Sequence, residues 1–280
     1  MTSTTSSDRA VVPGLRTSDL PTGRDATWAF ADQWISDNAA DRDTFERDQI
    51  WNAIVAAVDP DWVVTYSERL RMQRPRPEVR QIRPGLWAMG AVDAIDLDHI
   101  VAVIGSRACT AYGEQVASHF AHDFASQGWH VVTGAGFGIE TAALRGALAA
   151  RNTPPVIWSA TDFGTPYPPA NSSLFDQVID AGGVILSHTD PVLGRSYPTR
   201  ASLLERTETM LQHARAAVVV ESAYRSSTGT AAARSITPLF GVPGLITSAH
   251  STGVHELIRT GRARLVTAAA DVLSVLEGGE

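Results

Sequence analysis

The residues able to do chemistry lie in a few turns rich in glycine, hydroxyls and arginine. Gly105-Ser106-Arg107 follows the apolar run 100–104, and Thr110 and Tyr112-Gly113 come just behind it. A small residue, a hydroxyl and a guanidinium ahead of a helix suit an anion. Helix N-termini present unpaired N–H groups and partial positive charge, and the planar guanidinium fork matches a phosphate. The alternative is a tight turn whose arginine pairs with one of the protein's own carboxylates. A second turn reads Thr133-Gly134-Ala135-Gly136-Phe137-Gly138-Ile139-Glu140. Glycines at alternate positions let a backbone turn sharply and approach a ligand closely. The spacing is not the Gly-x-Gly-x-x-Gly of dinucleotide sites, and the turn follows the second strand of the sheet, which argues against NAD or FAD. An anion cradle shared with the Gly105 loop is the functional reading; a glycine turn needed only for packing is its alternative.

Further turns carry similar groups. Tyr167-Pro168-Pro169-Ala170-Asn171 opens one helix, where Asn171 either caps it or meets a ligand. Tyr197-Pro198-Thr199-Arg200 puts an arginine at another helix start, and Arg225-Ser226-Ser227-Thr228-Gly229-Thr230-Ala231 is a hydroxyl-rich turn. None of these offers a nucleophile with its base. Gly-x-Ser-x-Gly is absent, and His119 and His122 have no third ligand at a zinc-like spacing, so they read as surface or packing histidines. Cys109 beside Arg107 has two readings, a thiol of lowered pKa or a small turn residue. Glu221, after a strand, is either a base or an acid that orients a neighbouring turn. The pattern calls for no cofactor and no metal.

Composition narrows the chemistry further. The chain has 280 residues and a net charge of −7, and all 23 of its basic residues are arginine. Without lysine there is no Walker A P-loop, no Schiff base and no protein-kinase core. Any bound phosphate must be held by arginine, hydroxyls or backbone amides. A single cysteine excludes an intrachain disulfide and fits a reducing, cytoplasmic setting. The first residues lack the apolar stretch of a signal peptide, and the longest apolar runs are strand-sized, which points away from the membrane. Residues 99–280 carry 12 arginines against 14 acids, so the acidic total does not exclude a local phosphate site there.

The elements that must position these turns follow from periodicity. Residues 1–25, rich in Ser, Thr, Gly and Pro, read as a disordered tail. Apolar residues at three-to-four spacing predict a small helical unit over 26–64 with a Trp-rich core, Trp28, Trp34, Trp51 and Trp62 included. Prolines and six arginines (Arg69, Arg71, Arg74, Arg76, Arg80 and Arg83) make 65–98 a linker, with a docking arm that lengthens a DNA path as the alternative. From 99 to 280 short apolar strands alternate with amphipathic helices. Strands are expected at 100–104, 129–133, 155–159, 183–186, 216–220, 239–243 and 263–266. Helices are expected near 113–127, 138–150, 170–181, 199–213, 228–237, 252–260 and 269–277. The fold class is therefore α/β, a mostly parallel sheet covered by helices on both faces. Ligands of such sheets bind outside the strands' carboxyl ends, where the turns above lie.

Taken in order, Ile104-Gly-Ser-Arg107 with Tyr112-Gly113, Val132-Thr-Gly-Ala-Gly-Phe-Gly-Ile-Glu140, Tyr167-Pro-x-x-Asn171, Tyr197-Pro-x-Arg200, Val220-Glu221, Val242-Pro-Gly244 and Ser251-Thr-Gly-Val-His-Glu-Leu-Ile258 resemble the Rossmann-like domain of the DprA/Smf (DNA-processing protein A) family. The resemblance covers about 99–270. It implies a cytoplasmic homodimer, not an enzyme, that binds single-stranded DNA and helps load a RecA-type recombinase in DNA uptake and recombination. By motif position it places Gly105, Ser106, Arg107, Thr133, Gly134, Gly136 and Gly138 in the DNA pocket, with Tyr167, Asn171 and Arg200 beside them. The chain departs from the family at Arg200-Ala201-Ser202, where Arg-Asn-Arg is usual, at the shifted Ser226–Ala231 turn, and in Glu140 for aspartate. It also lacks any lysine and ends soon after the sheet, without a C-terminal winged helix. The alternative is a nucleotide-binding enzyme of the related phosphoribohydrolase-like group, whose Pro-Gly-Gly-x-Gly-Thr-x-x-Glu motif Ser227–Thr230 faintly resembles without the glutamate.

Overall fold

The computed structural model describes residues 9–42, 44–63, 77–191 and 198–278. Two compact units divide the chain, Met1–Arg76 and Pro77–Glu280. In the first unit, an antiparallel ribbon of β1 (Ala10–Val12) and β2 (Leu15–Arg16) precedes helices α1 (Arg24–Asn38) and α2 (Thr44–Ala56). Leu15 joins Ala31, Ile35, Trp51, Ile54 and Val55 in one buried cluster. Trp28 packs on Trp51 at 6.3 Å, and its Nε1–H donates to the Trp62 carbonyl. The tryptophans are core, as expected. The ribbon is not: a disordered tail was expected over 1–25. Val11, Val12 and Leu15 around Gly14, whose φ is +88°, are few residues but enough to close a turn and bury one side chain.

The second unit holds a nine-stranded sheet. Its order is β11-β10-β9-β5-β6-β7-β8-β4-β3, built from β3 (Val79–Arg83), β4 (Leu86–Gly90), β5 (Ile100–Ile104), β6 (His130–Thr133), β7 (Val156–Ser159), β8 (Val184–Ser187), β9 (Ala216–Val219), β10 (Leu239–Gly241) and β11 (Ala263–Leu265). The helices are α3 (Ala111–Ser126), α4 (Ile139–Ala150), α5 (Ser172–Asp180), α6 (Arg200–His213), α7 (Ser227–Arg234), α8 (Thr252–Arg259) and α9 (Ala269–Gly278). All seven expected strands and seven expected helices are present, with ends shifted by a few residues. Strands β5 to β11 run parallel.

Along the central strands side chains alternate between two cores. Val101 and Val103 meet α3, α4 and α9 on one face. Ile100, Ala102 and Ile104 meet α6, α7 and α8 on the other. That double burial is why β5 is apolar throughout rather than alternating.

The linker expected over 65–98 is overturned from residue 77 on. Residues 64–76, with Arg69, Arg71, Arg74 and Arg76, lie outside the described residues. Beyond them β3 and β4 form a hairpin around Gly85 that extends the sheet, β4 pairing antiparallel with β8. Proline density masked the run Leu86-Trp87-Ala88-Met89, three of whose side chains are buried. Of the remaining arginines, Arg80 pairs with Asp93 at 2.5 Å, and both sit on β3 or just beyond the hairpin.

The chain leaves β5 toward β6 on one side and returns to β9 on the other, so the strand order reverses between β5 and β9. The loops ending there define the crevice where parallel sheets hold ligands.

Candidate nucleic-acid interface

The turn after β5 is fixed by its neighbours' backbones. Ser106 N–H donates to the Glu221 carbonyl (2.7 Å) at the end of β9, and Ile139 N–H at the start of α4 donates to the Ser106 carbonyl (3.2 Å). Gly105 leaves no space for a side chain, since a Cβ would lie 2.5 Å from Ile139 Cγ1. Gly138, at φ +70°, brings α4 up against the carbonyls of Ser106 and Arg107. Thr110 caps α3 by accepting from Gly113 N–H (3.1 Å). Glu221 is 2% exposed and accepts from both Thr110 N–H (2.9 Å) and Thr110 Oγ1 (2.7 Å). Glu221 therefore orients the turn; its oxygens are spent on that and it is no free base.

The hydroxyl-rich turn after β9 closes the other side. Ser226 caps α7 by accepting from Gly229 N–H (3.0 Å), and Thr228 Oγ1 donates to the Gly105 carbonyl (3.1 Å). Between the two turns opens a cleft of 690 Å³ lined by Ser106, Arg107, Tyr167, Arg200, Ser227 and Thr228 among others. A second groove of 750 Å³ runs between α3 and α4, past Gln115, Ser118, Phe137 and Arg145. Arg107 lines both. Its side chain is exposed, and among the described residues no carboxylate pairs with Arg107, Arg145 or Arg200. Arg200 owes its place to a reciprocal cap: Thr199 Oγ1 accepts from Ser202 N–H, and Ser202 Oγ accepts from Thr199 N–H.

The glycine loop departs from the expected anion cradle in one respect. An anion of the protein's own already sits against it. Gly136 N–H donates to Glu140 Oε2 (2.7 Å), and Arg206 grips the same carboxylate with Nη2 at 3.0 Å from Oε1 and Nη1 at 3.2 Å from Oε2. Both side chains of this bidentate pair are more than nine-tenths buried. Gly134 is needed because Arg206 fills the space a methyl would take. Asn171, expected to cap α5 or meet a ligand, caps nothing. Its buried amide donates to the Ala135 carbonyl and to Thr141 Oγ1, both at 2.8 Å, and so holds the glycine loop. Thr133 is buried at the end of β6 and does not line the cleft.

Of the expected site residues, then, Gly105, Ser106, Arg107, Tyr167 and Arg200 meet at the cleft. Gly134, Gly136, Gly138 and Asn171 build its support. Two residues went unseen in the sequence. Arg206 lies one helical turn after Ser202 on the inward face of α6, and brings a guanidinium to the helix that lacks the family's second arginine. Arg145 sits on the exposed face of α4. Cys109 is the reverse of an activated thiol: burial first, then the charges of Glu114 and Glu221, push its pKa up to about 11. His119 and His122 are exposed, and no group of metal-ligating side chains occurs among the described residues. No helix among them is long and apolar enough to cross a membrane.

Comparison with known proteins agrees with this architecture. The DNA processing protein DprA of Mycobacterium tuberculosis (strain CDC 1551 / Oshkosh) is 37% identical over 192 residues, covering 67% of this chain and 48% of the relative. The chain thus spans about half the length of that protein. Two solved structures share the fold. DNA processing protein A of Helicobacter pylori, described for its single-stranded DNA binding mode, superposes with a TM-score of 0.61 at 23% identity over 74% of this chain and 96% of its own. DprA of Streptococcus pneumoniae gives 0.62 at 22% identity over 89% and 92%. The sequence profile of DNA recombination-mediator protein A matches residues 62–277, and the chain belongs to that family.

Proposed function

We propose that this protein binds single-stranded DNA at the switch-point cleft and acts in DNA processing during uptake and recombination. The observation that carries the reading is Arg107: an exposed guanidinium without a carboxylate partner among the described residues, held where two clefts meet by a turn pinned on three sides. It contacts a backbone phosphate directly. Ser227 and Thr228, in the first turn of α7, present N–H groups to the same cleft, and Arg200 adds a second cation across it. Phe137, 48% exposed in the adjoining groove with Arg145, provides a face for base stacking. Contacts made mainly to the backbone give low base specificity overall.

We extend this reading to a cytoplasmic homodimer that hands its strand to a RecA-type recombinase and does no covalent chemistry on it. The cleft's carboxylate Glu140 is locked to Arg206, and Ala231, Ala232, Ala233 and Arg234 follow where the phosphoribohydrolase-like motif would place a glutamate. Both favour binding over base release.

The test is an electrophoretic shift with single-strand and duplex DNA at two salt concentrations. Single strands are expected to bind preferentially, with affinity on the order of micromolar, and Arg107→Ala to weaken them. If that variant binds as the parent does at low salt, the site is wrong. A recombinase pull-down that survives Arg107→Ala separates partner docking from DNA binding. Free base on chromatography after incubation with nucleoside monophosphates would restore the enzyme reading.

A further inference from the structure

Of the arginines crowded into residues 69–83, Arg80 and Arg83 lie on β3. Their surroundings differ. Arg80 is neutralised by its ion pair with Asp93. Arg83 is exposed, and among the described residues it makes no hydrogen bond or ion pair. An uncompensated guanidinium on an ordered hairpin is available to an anion.

The topology puts this guanidinium on the side of the sheet where the cleft opens. β3 runs antiparallel to β4, and β4 antiparallel to β8, so β3 is parallel to β8. Arg83 pairs with Leu86, and the next residue, Trp87, pairs with Ser187 at the end of β8. Arg83 therefore stands at the carboxyl ends of the parallel strands, as Arg107 does. The register shifts between Gln81 and Arg83, a bulge of the kind that re-aims side chains at sheet rims. The hairpin turn is tied to the loop after β8, where His188 Nδ1–H donates to the Gly85 carbonyl at 2.7 Å.

The surface between the two arginines can carry a strand. His188 lines a depression shared with Ser202, Glu205 and Arg206, and Arg206 lines the switch-point cleft as well. Cleft, depression and hairpin thus follow one another across the sheet. The order β5-β6-β7-β8-β4-β3 sets five inter-strand steps between Arg107 and Arg83, about 24 Å at about 4.8 Å each. Single-strand sites cover about 4–16 nucleotides, so one strand can reach both. The acids along the way are Asp162, Asp190 and Glu205. Asp162 Oδ1 accepts from Gly164 N–H, Thr165 N–H and the Thr165 hydroxyl, and Asp190 has a partner of its own. Glu205 is exposed and repels phosphate, which confines backbone contact to the two ends of the track.

We propose that the β3–β4 hairpin is a second anchor for the bound strand, with Arg83 contacting a backbone phosphate several nucleotides from the one at Arg107. The proposal rests on the single-strand reading above. It is tested by fluorescence anisotropy over a range of salt, with oligo-dT of about 4 and about 16 nucleotides. On the long strand Arg83→Ala should flatten the slope of log K against log salt by about 0.7, the share of one phosphate. Arg83→Lys should restore the slope. Arg80→Ala should leave it at the parent value, because that charge is already paired. On the short strand, anchored at Arg107 alone, Arg83→Ala should change nothing. These substitutions fall on exposed side chains, so the unfolding midpoint should stay that of the parent. An unchanged slope for Arg83→Ala on the long strand, an equal loss for Arg80→Ala, or equal effects at both lengths overturns the anchor. Arg107→Ala checks the underlying reading separately, because it should flatten the slope at both lengths. If it flattens neither, the cleft is not the phosphate site, while Arg83→Ala on the long strand still decides the hairpin.

Discussion

The Arg206 guanidinium lies so close over Gly134 that a methyl group on the glycine would overlap its Nη1 atom. The same guanidinium holds Glu140, and Glu140 holds the Gly136 amide. One glycine, one buried ion pair and one backbone N–H thus form a single support beneath the cleft. Removing one partner of such a pair leaves a buried charge unmatched, at a cost of about 3–5 kcal/mol, whereas replacing both with apolar groups of similar size is often close to neutral. Arg206→Met and Glu140→Leu are each expected to lose about that much in urea unfolding, and the double variant to recover most of it. Gly134→Ala should resemble the single variants, since it must push Arg206 aside. Additive losses in the double variant would mean the two side chains do not act as a pair.

Arg107 gives a prediction in salt. Each phosphate neutralised on a single strand contributes about 0.7 to the slope of log K against log salt. Arg107→Ala should therefore flatten the slope by about 0.7, with no change in unfolding midpoint, because the side chain is exposed and makes no ion pair with a described carboxylate. A lower affinity at an unchanged slope would show that Arg107 acts by shaping the turn and does not touch phosphate.

Cys109 reports on the same turn through its titration. A thiol whose pKa is raised to about 11 has a thiolate fraction on the order of one in a thousand at pH 8, and thiolate is the reactive form. Alkylation of the folded protein should be slow at pH 8 and accelerate as pH rises toward 11. Urea-unfolded chain should react at the rate of an ordinary thiol. Fast folded-state labelling at pH 8 would place Arg107 close enough to override burial and the two glutamates.

Much of this was legible in the primary structure. Apolar runs such as 100–104 and 216–220 fix the parallel sheet, because strands buried on both faces cannot alternate. The order of the glycine and arginine turns then fixes which loops meet. What was hidden has physical causes. Leu86–Met89 sits among prolines, and a local breaker signal outweighs a four-residue apolar run in any reading of composition. The ribbon at 10–16 needs only three apolar residues. Arg206 is one charge among several on α6, and nothing in a helix's sequence shows that its inward face meets a glycine on another loop. Gly134 carried that message, but a glycine states only that space is short and not what fills it.

Two glycines of positive φ differ sharply in how crowded they are. Gly138 has φ +70° and Gly182 has φ +80°. Alanine at positive φ costs about 1–3 kcal/mol, and Gly138, whose ψ is −122°, lies outside the left-handed helical well. At Gly182 no atom lies within 4 Å of the new methyl, so Gly182→Ala should lose that amount and no more. At Gly138 the methyl would run into the carbonyl oxygens of Ser106 and Arg107, which are backbone and cannot rotate away. Gly138→Ala should therefore lose clearly more stability than Gly182→Ala in the same unfolding assay. It should also shift the Arg107 turn, weakening single-strand binding where Gly182→Ala leaves it intact. Equal losses of stability and unchanged binding in both variants would mean that the contact between the α4 N-terminus and the Ser106–Arg107 backbone yields easily, and that the turn does not depend on Gly138 for its geometry.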